Sequence, residues 1–298
     1  MTKEYLDLKM DFMFKQLFGH PSRKSITIAF LNDLLHRQGD DRIVDVHYEN
    51  TELIKDELKG KTSRLDVLVY TSSGERINVE IKLINQHDMP NRTLYYWAKL
   101  YSSPLRAGQN YSQLTSTIMV SILNYPLFPH ETDSFHNVFH LLEDTEKFLW
   151  SPQIEFHSLD LSQFMVKWKK YRKEMRANPP AEYPWLIMLN AADYNNKTIE
   201  DEMIHELEEW AMNEQEVREA LIEWETLSAN KENKVLYEAR LKYLRDQLTN
   251  LVGERKAGNE EATRKIALEM QKDGVSIDII EKYTMLDGNE IEELKKSL

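Results

Sequence analysis

Two runs decide the reading of this chain: Ser63-Arg64-Leu65-Asp66-Val67-Leu68-Val69-Tyr70 and Arg76-Ile77-Asn78-Val79-Glu80-Ile81-Lys82-Leu83. Both are rich in Val, Ile and Leu, and Thr71-Ser72-Ser73-Gly74-Glu75 stands between them. Apolar β-branched runs on either side of a short polar, glycine-containing segment predict a β-hairpin. Side chains alternate faces along a strand, so Glu80 and Lys82 point the same way. A five-residue loop at 71–75 pairs Tyr70 with Arg76. Counting back by twos places Leu68 opposite Asn78 and Asp66 opposite Glu80. Directly opposed residues have Cβ atoms about 4.5–5.5 Å apart, so Asp66, Glu80 and Lys82 converge.

Two opposed carboxylates repel each other unless one takes a proton or a cation lies between them. Carboxylates, carbonyls and waters are the ligands that Mg²⁺ and Mn²⁺ prefer. An ion so held polarises a phosphoryl oxygen and activates water, and a nearby lysine steadies transition-state charge. These are the parts of phosphodiester hydrolysis. The plainer alternative is a solvated hairpin edge, because D-x13-E-x-K alone is a weak pattern. Each acid, however, interrupts an apolar run, which is unusual for plain surface. A one-residue slip of register would separate the acids.

Outward from the hairpin, Asp11 to Phe18 reads as a short helix stopped near Gly19 and Pro21. Ser25 to Arg37 is an amphipathic helix with Ile26, Phe30, Leu31, Leu34 and Leu35 on one face. Asp45 to Leu53 is a first strand, Pro90 to Leu105 an aromatic-rich helix, and Leu114 to Leu123 a central strand. Asn137 to Leu142 and Gln153 to Leu159 are further strands. From about Leu161 the chain reads almost entirely as helix, with a break at Pro179, Pro180 and Pro184. Lys197 to Trp210, Glu214 to Val252 and Glu260 to Gln271 are helical. Gly274 to Leu298 reads as two short helices split at Asp287-Gly288. The expected organisation is an α/β domain over residues 1–185 followed by a helical region over 186–298.

The 298 residues are 41% hydrophobic and 10% aromatic, enough for a sizeable core. With no cysteine, disulfide and zinc-thiolate frameworks are excluded, which fits a reducing cytoplasm. No apolar run reaches the roughly 18 to 20 residues of a membrane span, and the charged start MTKEYLDLKMDFMFK is not a signal peptide. The net charge of −12 counts against nucleic-acid binding. About ten of those charges fall after residue 170, however, leaving the hairpin half near neutral.

The opening D-F-M-F-K-Q-L-F-G (Asp11 to Gly19) and F-L-N-D-L-L (Phe30 to Leu35) resemble the start of the Rpn family. The hairpin R-L-D-V-L-V…G-E-R-I-N-V-E-I-K, N-R-T-L-Y-Y-W-A-K-L-Y (Asn91 to Tyr101) and G-Q-N-Y-S-Q-L (Gly108 to Leu114) continue the likeness in order over roughly residues 5–165. The tail D-G-V-S-I-D-I-I-E-K-Y (Asp273 to Tyr283) is similar to the family's usual ending. These proteins are described as recombination-promoting nucleases or transposases. The resemblance implies a restriction-endonuclease-like PD-(D/E)xK core, a mixed sheet flanked by helices, acting as a Mg²⁺-dependent DNA endonuclease. By position, Asp66 and Glu80 would be metal ligands with the Ile81 carbonyl, and Lys82 the catalytic lysine. Many family members carry Gln at the position of Lys82; lysine here matches the broader superfamily.

Asp11 and Lys15, one helical turn apart, are candidate site neighbours by the same resemblance, or else a surface ion pair. Arg92 and Tyr96, also at i,i+4, suit phosphate contact or support of the site. The alternative for the aromatics Tyr95, Tyr96, Trp97 and Tyr101 is packing on the sheet. His136 and His140 form H-x-x-x-H, but on a strand and without the metalloprotease Glu, so no metal role is expected of them. The acidic helix Glu200 to Trp210 reads as a solvated amphipathic helix, and the charged stretch Glu214 to Val252 as helices packing on each other or on a second copy, a homodimer that would suit cutting two strands. The competing functional reading is a nuclease fold that binds or regulates without cutting.

Overall fold

The computed structural model describes residues 5–49, 65–104, 110–194 and 198–296. The chain forms two compact units, Met1–Arg240 and Leu241–Leu298. The expected boundary after residue 185 falls inside the first.

The first unit begins with α1 (Asp11–Phe18) and α2 (Lys24–Leu34), followed by β1 (Val46–Tyr48), β2 (Val67–Thr71) and β3 (Arg76–Lys82). Then come α3 (Met89–Ser102), β4 (Thr117–Leu123), β5 (His136–His140) and β6 (Ile154–Asp160). Five strands follow the pattern of the sequence closely. The expected extension of the first strand to Leu53, the start of the second at Ser63, the end of the aromatic helix at Leu105 and Gly108 of the G-Q-N-Y-S-Q-L motif lie outside the described residues.

The sheet has six strands in the order β1-β2-β3-β4-β6-β5. The neighbours β1, β2 and β3 run antiparallel, β3, β4 and β6 parallel, and β5 antiparallel to β6. This is the mixed sheet with flanking helices of a PD-(D/E)XK fold. The strand β4 lies between parallel neighbours and is buried at every position, which explains a run that is apolar or β-branched everywhere but Ser121.

On one face α3 covers the sheet. Leu65, Leu68, Tyr96, Leu100 and Met119 form a buried cluster there, with Trp97 and Phe156 against it. Trp97 Nε1 donates to the Thr117 carbonyl at 3.1 Å. Packing on the sheet thus describes Tyr96 and Trp97, whereas Tyr95 is 46% exposed. On the other face, all five apolar residues predicted for the second helix are buried. Phe18 lies tilted against Phe30 with ring centroids 4.4 Å apart, and Phe30 meets Trp185 edge-on at 5.7 Å.

Residues beyond Asp160 wrap the same unit through α4 (Leu161–Ala177) and α5 (Tyr183–Asn190), then β7 (Ala192–Asp193) and β8 (Thr198–Ile199), then α6 (Asp201–Asn213) and α7 (Gln215–Ala229). The two-stranded pairing β7-β8 replaces the start of the helix expected from Lys197. Trp185 donates to Asp33 at 2.7 Å and Trp224 to the Leu6 carbonyl at 2.8 Å, pinning α5 and α7 to the N-terminal segment. The stretch Glu214 to Val252 is divided at Asn230, whose Oδ1 accepts from the amides of Glu232 and Asn233 and caps α8 (Lys231–Lys272). The expected Glu260–Gln271 helix is the later part of α8.

In the second unit α9 (Ile277–Thr284) and α10 (Gly288–Lys296) pack on the end of α8. Their core is Ala267, Ile280 and Ile291, with Met270, Val275, Leu286 and Leu294 around it. Gly274, at φ +77°, takes the left-handed turn that ends α8. The split at Asp287-Gly288 is where the sequence places it.

Candidate active site

The hairpin register is the starting point. Tyr70 pairs with Arg76, Leu68 with Asn78 and Val67 with Val79, so the next rung aligns Asp66 with Glu80. The turn holds this register: the Thr71 amide donates to the Glu75 carbonyl at 2.9 Å, and Gly74 occupies φ +93°. Asp66 and Glu80 are 5% and 2% exposed.

Lys82 lies between the acids. Its Nζ is 3.2 Å from Asp66 Oδ2 and 3.0 Å from Glu80 Oε1. Burial pushes its ammonium down, but Asp66 and Glu80 outweigh burial and raise it above its ordinary value. The two acids therefore hold Lys82 as a cation between them. The Ile81 amide donates to Asp66 Oδ2 at 3.0 Å. The Ile81 side chain faces the other side of the sheet, so only its main chain reaches the acids.

Two further cations close the cluster. Lys15, from α1, meets Asp66 Oδ1 at 3.0 Å. Arg92, one turn into α3, donates to Glu80 Oε1 at 2.9 Å and lies over the Tyr96 ring, 5.1 Å from its centroid. Tyr96 thus supports Arg92 from the buried side. Asp11 is bound by Arg240 through two guanidinium nitrogens. Burial acts to raise the Asp11 carboxyl, but Arg240 and then Lys15 outweigh it and hold it below its ordinary value.

The structure brings together Asp66, Glu80, Lys82, Lys15, Arg92 and Tyr96. Two carboxylates attract three cations of the chain, so positive charge gathers here. That donor set fits a hard divalent ion. Tyr125, just beyond β4, is a neighbour that the hairpin reading missed. Burial, then Asp88 and Glu80, push its phenol up to about 12. The available signal was its position: it follows the carboxyl end of a central parallel strand, where sites in such sheets gather.

A family model described as PD-(D/E)XK nuclease family transposase matches residues 8–254. Neither a curated protein nor a solved structure matches the chain significantly.

Proposed function

This chain belongs to the family of PD-(D/E)XK nuclease family transposases, and from that premise we propose that it is a metal-dependent DNA endonuclease. Membership indicates nuclease-type function; the observation that supports this sharper reading is the buried meeting of Asp66, Glu80 and Lys82 at one end of the hairpin. Asp66, Glu80 and the Ile81 carbonyl would hold Mg²⁺ or Mn²⁺. When bound, such an ion supplies Lewis-acid polarisation of a phosphoryl oxygen. Lys82 stays protonated beside the reacting phosphate and stabilises the charge that develops on it. Arg92 and Lys15, 26% and 29% exposed at their side chains, are placed to contact flanking phosphates.

The reading places the protein on DNA in the cytoplasm, in recombination or in processing of mobile or foreign DNA. Among the described residues no helix is long and apolar enough to cross a membrane. A homodimer, expected from the charged helical stretch, finds no support in the single chain and is no part of the proposal. The test is supercoiled plasmid with wild type and the Asp66→Ala variant, each checked for folding by circular dichroism. Wild type converts plasmid to open or linear forms with Mg²⁺ or Mn²⁺, and EDTA or the variant abolishes conversion. Intact plasmid with both metals would sink the proposal.

One observation favours a second reading, a nuclease fold that binds without cutting. Lys15, Lys82 and Arg92 already satisfy both acids, and an entering ion competes with them. Calorimetric titration with Mg²⁺ separates the readings: no heat that depends on Asp66 favours the binding module.

A further inference from the structure

The second cluster of interest lies on the opposite face of the sheet. His136 pairs with Leu159, Leu159 with Ile122, and Ile122 with Ile81. Residues paired across strands share a face, so His136 is on the Ile81 face, away from Glu80 and Lys82. Three strand steps separate it from β3, roughly 14 Å.

Glu182, which precedes α5, is 2% exposed and accepts two imidazoles. Its Oε1 is 2.9 Å from His136 Nδ1 and its Oε2 is 2.8 Å from His36 Nε2. One ligand atom from each of the three residues lies within 4.8 Å of the others. The His136 ring continues inward: its Nε2 is 2.9 Å from His157 Nδ1, and His157 Nε2 is 2.7 Å from Glu155 Oε1.

Counting hydrogens shows what this arrangement lacks. The links His157–Glu155, His157–His136 and His136–Glu182 each need one hydrogen. Two neutral imidazoles carry one N–H apiece, one short of the three links. If His157 donates to Glu155 and His136 to His157, then the His136 Nδ1 lone pair points at the Glu182 carboxylate. A positive centre is needed there, either an extra proton or a metal ion. His36 adds a third ligand atom at that spot. It projects from the residue just past the end of α2 at φ +53°, a left-handed position that favours glycine, and it is the exposed member of the group.

We propose that His36, His136 and Glu182 form a binding site for a divalent transition-metal ion of the Zn²⁺ class, separate from the Asp66–Glu80 site. Two imidazoles and a carboxylate suit Zn²⁺ and leave a fourth position for water or another ligand, whereas Mg²⁺ prefers oxygen. The His157–Glu155 relay orients His136, the usual support of a metal-bound histidine. The ion ties the end of α2, the start of β5 and the start of α5, with His36 and Glu182 146 residues apart in sequence. Its binding therefore stabilises the native state.

The test titrates the full-length chain, free of any histidine tag, with ZnCl₂ by calorimetry in excess Mg²⁺, and follows thermal unfolding with and without Zn²⁺. His36→Gly is the deciding variant, because glycine fits the backbone there and the site is at the surface. We expect one Zn²⁺ site, a Zn²⁺-dependent rise in Tm, and at least 100-fold weaker binding in His36→Gly. Asp66→Asn should leave Zn²⁺ affinity unchanged. No Zn²⁺ binding, or binding that His36→Gly leaves intact, overturns the proposal and assigns the cluster to a protonated His–Glu hydrogen-bond network. Failure of the plasmid assay would leave this result untouched.

Discussion

At the scale of the residue, Lys82 is the position on which the site turns. Its ammonium bridges two acids that would otherwise repel across the hairpin, and it is the only one of the three cations on the same strand as Glu80. Lys82→Met keeps the length of the side chain and removes the charge. Plasmid cleavage under Mg²⁺ should fall about 100- to 1,000-fold, the usual loss for one transition-state stabilising group, with an unchanged far-ultraviolet spectrum. Asp11 offers a separate test of the electrostatics. Its folded-state pKa lies below the ordinary 3.8, because Arg240 and Lys15 outweigh burial. Its contribution to stability is fully present above that unfolded value and is lost as pH falls through the depressed folded value. Asp11→Asn should therefore lower urea stability at pH 7 and make progressively less difference below pH 3.8. An equal difference at both ends would show that Arg240 does not recognise the charge. The sequence offered Asp11 and Lys15 as site neighbours or as a surface ion pair: Lys15 does reach Asp66, whereas Asp11 binds Arg240, a partner 229 residues away that no local spacing indicates.

Among the elements, α1 carries Lys15 to Asp66 and depends on how closely it approaches β2. Gly19, at the end of α1, is the reason it can. A Cβ there would lie 2.8 Å from the Lys15 carbonyl oxygen and 3.3 Å from Val67 Cγ2, beside the strand that bears Asp66. Gly19→Ala should destabilise the fold by about 1–3 kcal/mol, the ordinary cost of overpacking, and reduce cleavage by displacing Lys15. A Tm equal to wild type would show that α1 has room to move. The α7–α8 junction gives an independent check. Asn230→Ala removes two side-chain acceptances at the start of α8 and should cost about 1 kcal/mol in chemical denaturation. The cap is hidden in the sequence because the charged periodicity continues on both sides of Asn230.

Across the whole molecule, the proposed function requires an acidic chain to engage DNA. About ten of the twelve net negative charges lie after residue 170, and the site itself holds three cations against two acids. If Lys15 and Arg92 are the main phosphate contacts, log affinity for duplex DNA should fall with log salt at a slope of about −2. Fluorescence anisotropy across a salt series measures it; a slope several times steeper would reveal a larger basic surface. What the sequence by itself determined were the features that repeat over a few residues. The hairpin register follows from a period of two and a five-residue turn, so Asp66, Glu80 and Lys82 were legible together. The buried face of Ser25 to Arg37 and the break at Asp287-Gly288 follow from helical spacing and a stop signal. Tertiary structure alone decided which remote side chains meet: Lys15 at Asp66, Arg92 at Glu80, Tyr125 near Glu80, and His36 with His136 on Glu182. Periodicity specifies which face of an element is apolar, but not which face of the sheet that element covers. Only packing decides that, and with it which charges share one site.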